Sequence, residues 1–153
     1  MNDKNSSSSS VELYKAIEAN DADRIERVLA MRPDLVNSTE ETPPPTHWAI
    51  FRNKRAALEA LLVHGADLGL RDRDRDATPL DYAVVYARRE MIPALIARGA
   101  SLECGMQVAL KGAAGGFENY AELPDRERYE GIVELLRELG PPELPHRANE
   151  HSA

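Results

Sequence analysis

Apolar side chains recur along this chain at the three- and four-residue spacing that places them on one face of a helix. Leu13, Ala16 and Ile17 form one such set and Ile25, Val28 and Leu29 a second, with Asn20-Asp21 as the turn between them and Pro33 closing the segment. Ala57, Leu58, Leu61 and Leu62 carry the same pattern and stop at Gly65 in "HGADL". Met91, Ile92, Leu95 and Ile96 repeat it and stop at Gly99 in "RGASL". A last stripe, Ile132, Val133, Leu135, Leu136 and Leu139, predicts a helix opened by Asp125 and ended by Gly140-Pro141.

Each of these stripes needs a partner helix, and the clearest opening is "TPLDYA", residues 78–83. Thr78 is a favoured N-cap, and Pro79 is tolerated at the first helical position because its missing N–H has no intrahelical partner there. Asp81 stands three residues after the cap, where it completes a T-x-x-acid capping pattern at the positive end of the helix dipole. The unit is therefore helix, turn, helix, stop.

The unit repeats. Gly65 and Gly99 stand 34 residues apart, and Ile25 and Leu58 stand 33 apart. A period of this length, built from two short helices and a turn, belongs to architectures in which each unit buries its apolar face on its neighbours. "TPLDYAVVYARREMIPALIARGAS" and "PTHWAIFRNKRAALEALLVHGAD" resemble the ankyrin repeat, which opens Thr-Pro-Leu-His-x-Ala and closes its second helix with Leu-Leu-x-x-Gly-Ala-Asp. The unit at residue 78 keeps four of the five named opening residues and has Asp81 in place of histidine, while the unit before it keeps His47 and Ala49 behind Pro44-Pro45-Thr46. In the family that histidine resembles a structural hydrogen-bonding residue between turns, so its replacement at Asp81 puts one contact between repeats in doubt.

The resemblance implies an all-α solenoid of about four divergent repeats, residues 11–37, 38–70, 71–103 and 104–140, between a disordered tail at 1–10 and a flexible one at 141–153. The last unit expects a first helix over 107–114. Ile92 and Val133 stand 41 residues apart, about eight more than the period, and the excess falls in "GGFENYAELPD", residues 115–125. A segment of this kind is expected to form a displayed, at least partly ordered loop anchored by Phe117, Tyr120 or Leu123.

The resemblance also implies a function: reversible, non-catalytic binding of a protein partner on the concave face. In ankyrin proteins the partner-contacting residues lie late in the first helix and just before it. Carried over position by position, these are Phe51 and Arg52, then Val85 and Tyr86, with Asp74, Arg75 and Ala77 on the turn. Trp48 and Tyr82 lie nearby, and packing between repeats explains those two equally well. Only 5% of the chain is aromatic, so four aromatic residues in two equivalent first helices form a concentration of the side chains that dominate protein interfaces.

Composition narrows the alternatives. A net charge of −7, with basic residues spread through the repeats, provides no phosphate-binding footprint and argues against nucleic acid. No apolar run approaches the roughly twenty residues needed to cross a bilayer, and "MNDKNSSSSS" lacks the apolar middle of a signal peptide. One cysteine, Cys104, allows neither an internal disulfide nor a cysteine-based zinc cage, which suits a cytoplasmic monomer. A small enzyme using Cys104 with a histidine, or a self-assembling structural subunit, are the competing classes. No nucleophile motif surrounds Cys104, and His47, His64, His146 and His151 lack metal-ligand spacing, so neither metal nor cofactor is expected. Gly112, Gly115 and Gly116 match no phosphate loop and read as a helix stop and loop. "RDRDRD", residues 71–76, reads as a solvated, self-neutralising turn, or as one that projects Arg73, Asp74 and Arg75 towards a partner.

Overall fold

The computed structural model describes residues 3–140, with side chains from residue 8 onward. Regular structure among the described residues is helical throughout: α1 (Asp3–Glu18), α2 (Ala22–Met31), α3 (Pro45–Phe51), α4 (Arg55–Val63), α5 (Pro79–Val85), α6 (Ile92–Ala97), α7 (Leu102–Ala113) and α8 (Arg126–Leu139). Two 3₁₀ turns, Pro33–Asn37 and Arg89–Met91, precede α3 and α6. Helices pack in sequential pairs, α1 with α2, α3 with α4, α5 with α6 and α7 with α8. The first members of the pairs also pack in succession, α1 on α3, α3 on α5 and α5 on α7.

Local chemistry sets the helix starts. Asp21, Thr78, Ser101 and Asp125 each accept a backbone N–H of the first turn, and Thr78 with Asp81 forms the full reciprocal capping box. Lys54 caps nothing with its own side chain. Instead Asn20 Oδ1, from the preceding pair, accepts the Ala57 N–H of α4 at 2.9 Å.

Every first helix ends in the same way. Asn20, Asn53, Ala87 and Gly115 each follow their helix by two residues with φ of 52°, 57°, 52° and 85°. In each case the left-handed residue and its successor return two N–H groups to the last helical turn, as in Asn53 N to Ile50 O and Lys54 N to Ala49 O. Gly65 and Gly99 close α4 and α6 by the same device. Ala87 is the outlier, since its Cβ crowds the carbonyl in this region while glycine and asparagine tolerate it. Arg88 beside it donates to Ile50 O at 3.1 Å and Phe51 O at 2.7 Å, adding a second donor at Ile50 and supplying one to Phe51 at the end of α3.

The core is one cluster. Ile17, Ile25, Ile50, Leu58, Leu61, Leu80, Ile92, Leu95 and Leu136 are all at most 1% exposed. At the α7–α8 contact, Tyr129 is 1% exposed and its hydroxyl donates to Val85 O at 2.6 Å. That ring lies directly on Gly112, where an added methyl group would stand 2.6 Å from Tyr129 Cδ1 and Cδ2.

Several local expectations change. α1 begins at Asp3 and so takes in most of the segment expected to be a disordered tail. Ser10 is 4% exposed, and extending an anchored helix costs far less than nucleating one. The first helix of the last unit opens at Leu102, five residues before the expected 107, because Ser101 caps it. Gly112 lies inside that helix and is buried, where a stop was expected, because α8 needs the space of its missing side chain. Within 71–76 the other five residues are exposed, but Asp72 is 3% exposed and bonded to Tyr82, so the turn is not wholly solvated. The tail expected over 141–153 lies outside the described residues.

Ala87→Gly should raise unfolding stability by about 0.5–1 kcal/mol, the relief of a left-handed alanine less the backbone entropy of glycine. Asn53→Gly should gain less, and equal gains in denaturant melts would remove strain at Ala87 as the cause. Gly112→Ala should lose about 1–3 kcal/mol through overpacking against Tyr129, although alanine is the better helix former by about 1 kcal/mol. A stabilised Gly112→Ala protein would show that α8 can move away at little cost.

Candidate functional site

The exposed side of the first helices carries a continuous run of rings. Trp48 and Phe51 sit one turn apart on α3, with centroids 5.7 Å from each other. Phe51 meets Tyr86, the residue capping α5, edge to face at 5.0 Å, and Tyr86 meets Tyr82 at 5.7 Å. Tyr82 stands edge-on to His47 at 4.9 Å. Two arginines rest on this run. The guanidinium of Arg52 lies 5.6 Å from the Trp48 ring and that of Arg75 lies 6.0 Å from Tyr82. Arg52 Nε also pairs with Glu18 of α1 at 3.0 Å, and Arg75 Nη1 donates to the Tyr86 hydroxyl at 2.5 Å.

Three contiguous hollows follow the run. One of about 370 Å³ lies between α1 and Trp48. It shares Pro43 and Trp48 with a second of about 190 Å³, which shares Phe51, Arg75 and Tyr82 with a third of about 760 Å³. Val85 and Tyr86 line the third, whose far wall is Phe117, Tyr120 and Leu123 from the 115–125 segment.

The sequence-derived candidates divide by burial. Phe51, Trp48, Val85 and Tyr86 are half-buried and line the hollows, whereas Arg52, Asp74 and Arg75 are exposed on the rim. Asp74 accepts the Thr42 hydroxyl at 3.2 Å. Tyr82 is 4% exposed and its hydroxyl donates to Asp72 Oδ2 at 2.8 Å, so most of its surface is committed to the interior. Burial, and secondarily the bond to Asp72, raises the pKa of that phenol well above its ordinary range.

A knot of polar atoms lies beneath the rings. Asp72 Oδ1 accepts the Ala77 N–H at 2.9 Å, and the Asp72 N–H donates to Ala77 O at 3.0 Å. Ala77 O also lies 2.8 Å from His47 Nε2, which must therefore carry the proton, since a carbonyl only accepts. Nδ1 is buried and has no hydrogen-bond partner among the described residues. Burial lowers the His47 pKa, opposed by the Ala77 carbonyl and by Asp72, and keeps the ring neutral. This histidine joins the second unit to the turn of the third. At the next repeat Asp81 spends its carboxylate on its own Thr78 N–H at 2.9 Å, so the equivalent tie is missing there.

Cys104 is half-buried in the first turn of α7, and among the described residues its thiol makes no hydrogen bond to a histidine. No group of three or more metal-ligating side chains occurs among the described residues. His146 and His151 lie outside them. No helix among the described residues is long and apolar enough to cross a membrane.

Sequence reasoning did not assign Lys111, Phe117 or Tyr120 to the site. Lys111 Nζ lies 5.2 Å from the Phe117 ring, which packs 5.4 Å from Tyr129, while Tyr120 is 61% exposed. The signal was present in "FENY", a second aromatic concentration, but its proximity to Tyr86 depends on how α7 seats on α5.

No family model matches the chain. Over 100 residues, 65% of its length, it is 33% identical to the mouse (Mus musculus) "Ankyrin repeat and IBR domain-containing protein 1". The match spans only 8% of that protein, so its other parts carry nothing over to this chain. The likeness is to a protein named for its ankyrin repeats, and it supports ankyrin-like repeats in this chain, whose described residues are all-α.

Tyr82→Phe should lower unfolding stability by about 1–3 kcal/mol, because it deprives a buried carboxylate of a donor. Tyr86→Phe, which frees only the exposed Arg75, should cost less than about 1 kcal/mol. Equal losses in urea melts would mean that the Asp72 bond adds nothing beyond an ordinary surface contact.

Proposed function

We propose that this chain is a protein-interaction module, an ankyrin-type solenoid of about four helix pairs over residues 11–140 that binds a protein partner along its first helices. Repeat limits near 11–37, 38–70, 71–103 and 104–140 are supported by the left-handed turns at Asn20, Asn53 and Ala87, which recur at the sequence period. The successive packing of α1, α3, α5 and α7 supports one continuous face. In this reading the protein acts without catalysis, as a cytoplasmic monomer, and the single cysteine suits a reducing compartment.

The observation that carries the reading is the run Trp48, Phe51 and Tyr86, half-buried beside the three hollows with Arg52 and Arg75 at its edge. Aromatic rings and arginines fixed by their neighbours lose little entropy on binding, and they are the side chains that most often dominate interface energies. Tyr82 and Asp74 support the run from below and beside it.

A partner captured from native lysate and identified by mass spectrometry, then titrated calorimetrically, tests this. Phe51→Ala, Arg52→Ala and Tyr86→Ala should leave folded, cooperatively melting proteins. At least one should weaken the complex by about 2 kcal/mol or more. Glu26→Ala on α2 and Glu59→Ala on α4, both exposed on second helices, should leave binding unchanged. The opposite pattern would place the working surface on the second helices.

A further inference from the structure

Among the described residues, His47 is the buried titratable side chain that keeps an unbonded polar atom. Its ring is 0% exposed and stands edge-on to Tyr82 at 4.9 Å. Nε2 donates to Ala77 O at 2.8 Å, and Nδ1 is enclosed without a partner. A neutral imidazole tolerates this, since only an acceptor goes unmet. A proton on Nδ1 adds a second donor and a full charge where water does not reach.

Few groups are placed to compensate that charge. Asp72 from the 71–76 turn and Asp81 and Tyr82 from α5 are the titratable groups that face the ring. Asp72 already accepts from the Ala77 N–H and the Tyr82 hydroxyl, and Asp81 from the Thr78 N–H. The other elements packed on α3 add none among the described residues. On α1, Glu12 is taken by Arg24, Tyr14 by Pro43 O and Glu18 by Arg52, and Lys15 is exposed. Arg55 and Glu59 on α4 are exposed, and Asp34 in the 3₁₀ turn before α3 is paired with Arg32. Burial therefore holds the His47 pKa below its ordinary value, against the opposing pull of the Ala77 and Leu70 backbone and of Asp72 and Asp81.

What the ring holds is the turn. Ala77 O accepts from His47 and from the Asp72 N–H, so two units meet on one atom. Beyond this network the side chains of the turn make exposed contacts, Asp74 with the Thr42 hydroxyl, Arg73 with Glu40 O and Arg75 with the Tyr86 hydroxyl. Contacts of that kind contribute little in water. We infer that His47 is an acid-sensitive latch: a proton taken up at Nδ1 drives the ring from its seat, frees Ala77 and Asp72, and releases the 71–76 turn, with Arg75, from the rings of the groove. The folded state binds this proton less tightly than an unfolded histidine, whose pKa is about 6.5. The latch is therefore closed above about pH 6.5 and loses its hold as pH falls below that value. Glu12, Asp34 and Glu118, whose bonded arginines lower their pKa values, weaken the fold only below about pH 4.5, outside that window. The latch is a property of the fold, and its bearing on partner capture rests on the groove reading above.

Urea melts and amide exchange of the full chain at pH 7.5 and pH 5.0 test the latch. The unfolding constant of the parent should rise about fivefold or more at the lower pH, under a ceiling of about thirtyfold for one histidine kept neutral by the fold. In His47→Gln, whose amide can still donate to Ala77 O without titrating, the rise should stay below about twofold. Exchange, corrected for the intrinsic effect of pH, locates the change: protection of the Asp72 and Ala77 amides should fall further than that of Ile132 and Leu136 in α8. Stability that holds or rises on acidification would overturn the latch, since the imidazolium would then be accommodated beside Asp72. Equal changes in parent and variant would assign the effect to other groups, and equal loss of protection at all four amides would reduce His47 to a global term; either result overturns it. Should His47→Gln not fold, NMR of the parent decides. A His47 ring that titrates at or above about pH 6.5, or one that titrates lower while the Tyr82 and Tyr86 signals stay fixed, refutes the latch. If the turn is released at pH 5.0 while partner capture is unchanged, the latch stands and the groove reading falls. If capture depends on Phe51, Arg52 and Tyr86 but protection at Asp72 and Ala77 does not respond to pH, the latch falls and the groove reading stands.

Discussion

Asp72 is 3% exposed, and the middle of the molecule is organised around satisfying it. A buried carboxylate is tolerable only when donors replace its lost water, and here they come from the Ala77 backbone and the Tyr82 hydroxyl. The carbonyl of the same Ala77 accepts from Asp72 and from His47, so four residues of two units share one small network. Through it the turn at 71–76 is fixed to α3 and α5 together. Its five other side chains face solvent, and Arg75 is brought over Tyr82 and Tyr86.

The groove is a consequence of that fixation. With His47 and Tyr82 held from below, the rings one turn further along, Phe51 and Tyr86, meet across the gap between α3 and α5. Arg88 reaches back to the last carbonyls of α3 and the Tyr129 hydroxyl reaches Val85 O, so the ends of α3 and α5 are each held by a residue from later in the chain. Trp48, Phe51 and Tyr86 are half-buried on the surface braced in this way.

A different close approach shapes the far end. Gly112 lets the Tyr129 ring lie against α7, which brings α8 inward, and the chain between Gly115 and Asp125 then runs out beside α5. Phe117 covers the exposed edge of Tyr129, and Tyr120, with little to bury against, stays exposed at the mouth of the large hollow. The absence of a single methyl group at residue 112 thus helps set where that wall stands.

What the sequence determined by itself was whatever depends on neighbours within about four residues. The caps at Thr78 and Asp125, the stops at Gly65 and Gly99 and the apolar stripes follow from short-range spacing, their recurrence after 33 or 34 residues is legible by counting, and together they suffice for the helix pairs of the described residues. Most of the candidate ring residues were legible for the same reason, since Trp48, Phe51, Tyr82 and Tyr86 occupy equivalent places in two units. Tertiary structure alone decided which charged residue in "RDRDRD" is buried, that Ala87 takes a left-handed turn, that Gly112 sits inside a helix, that α1 extends back to Asp3, and that Lys111 and Tyr120 face Tyr86. Each of those outcomes depends on a group far along the chain. Burial and charge pairing are set by distance in space, and a one-dimensional pattern does not contain that distance until the helices have packed.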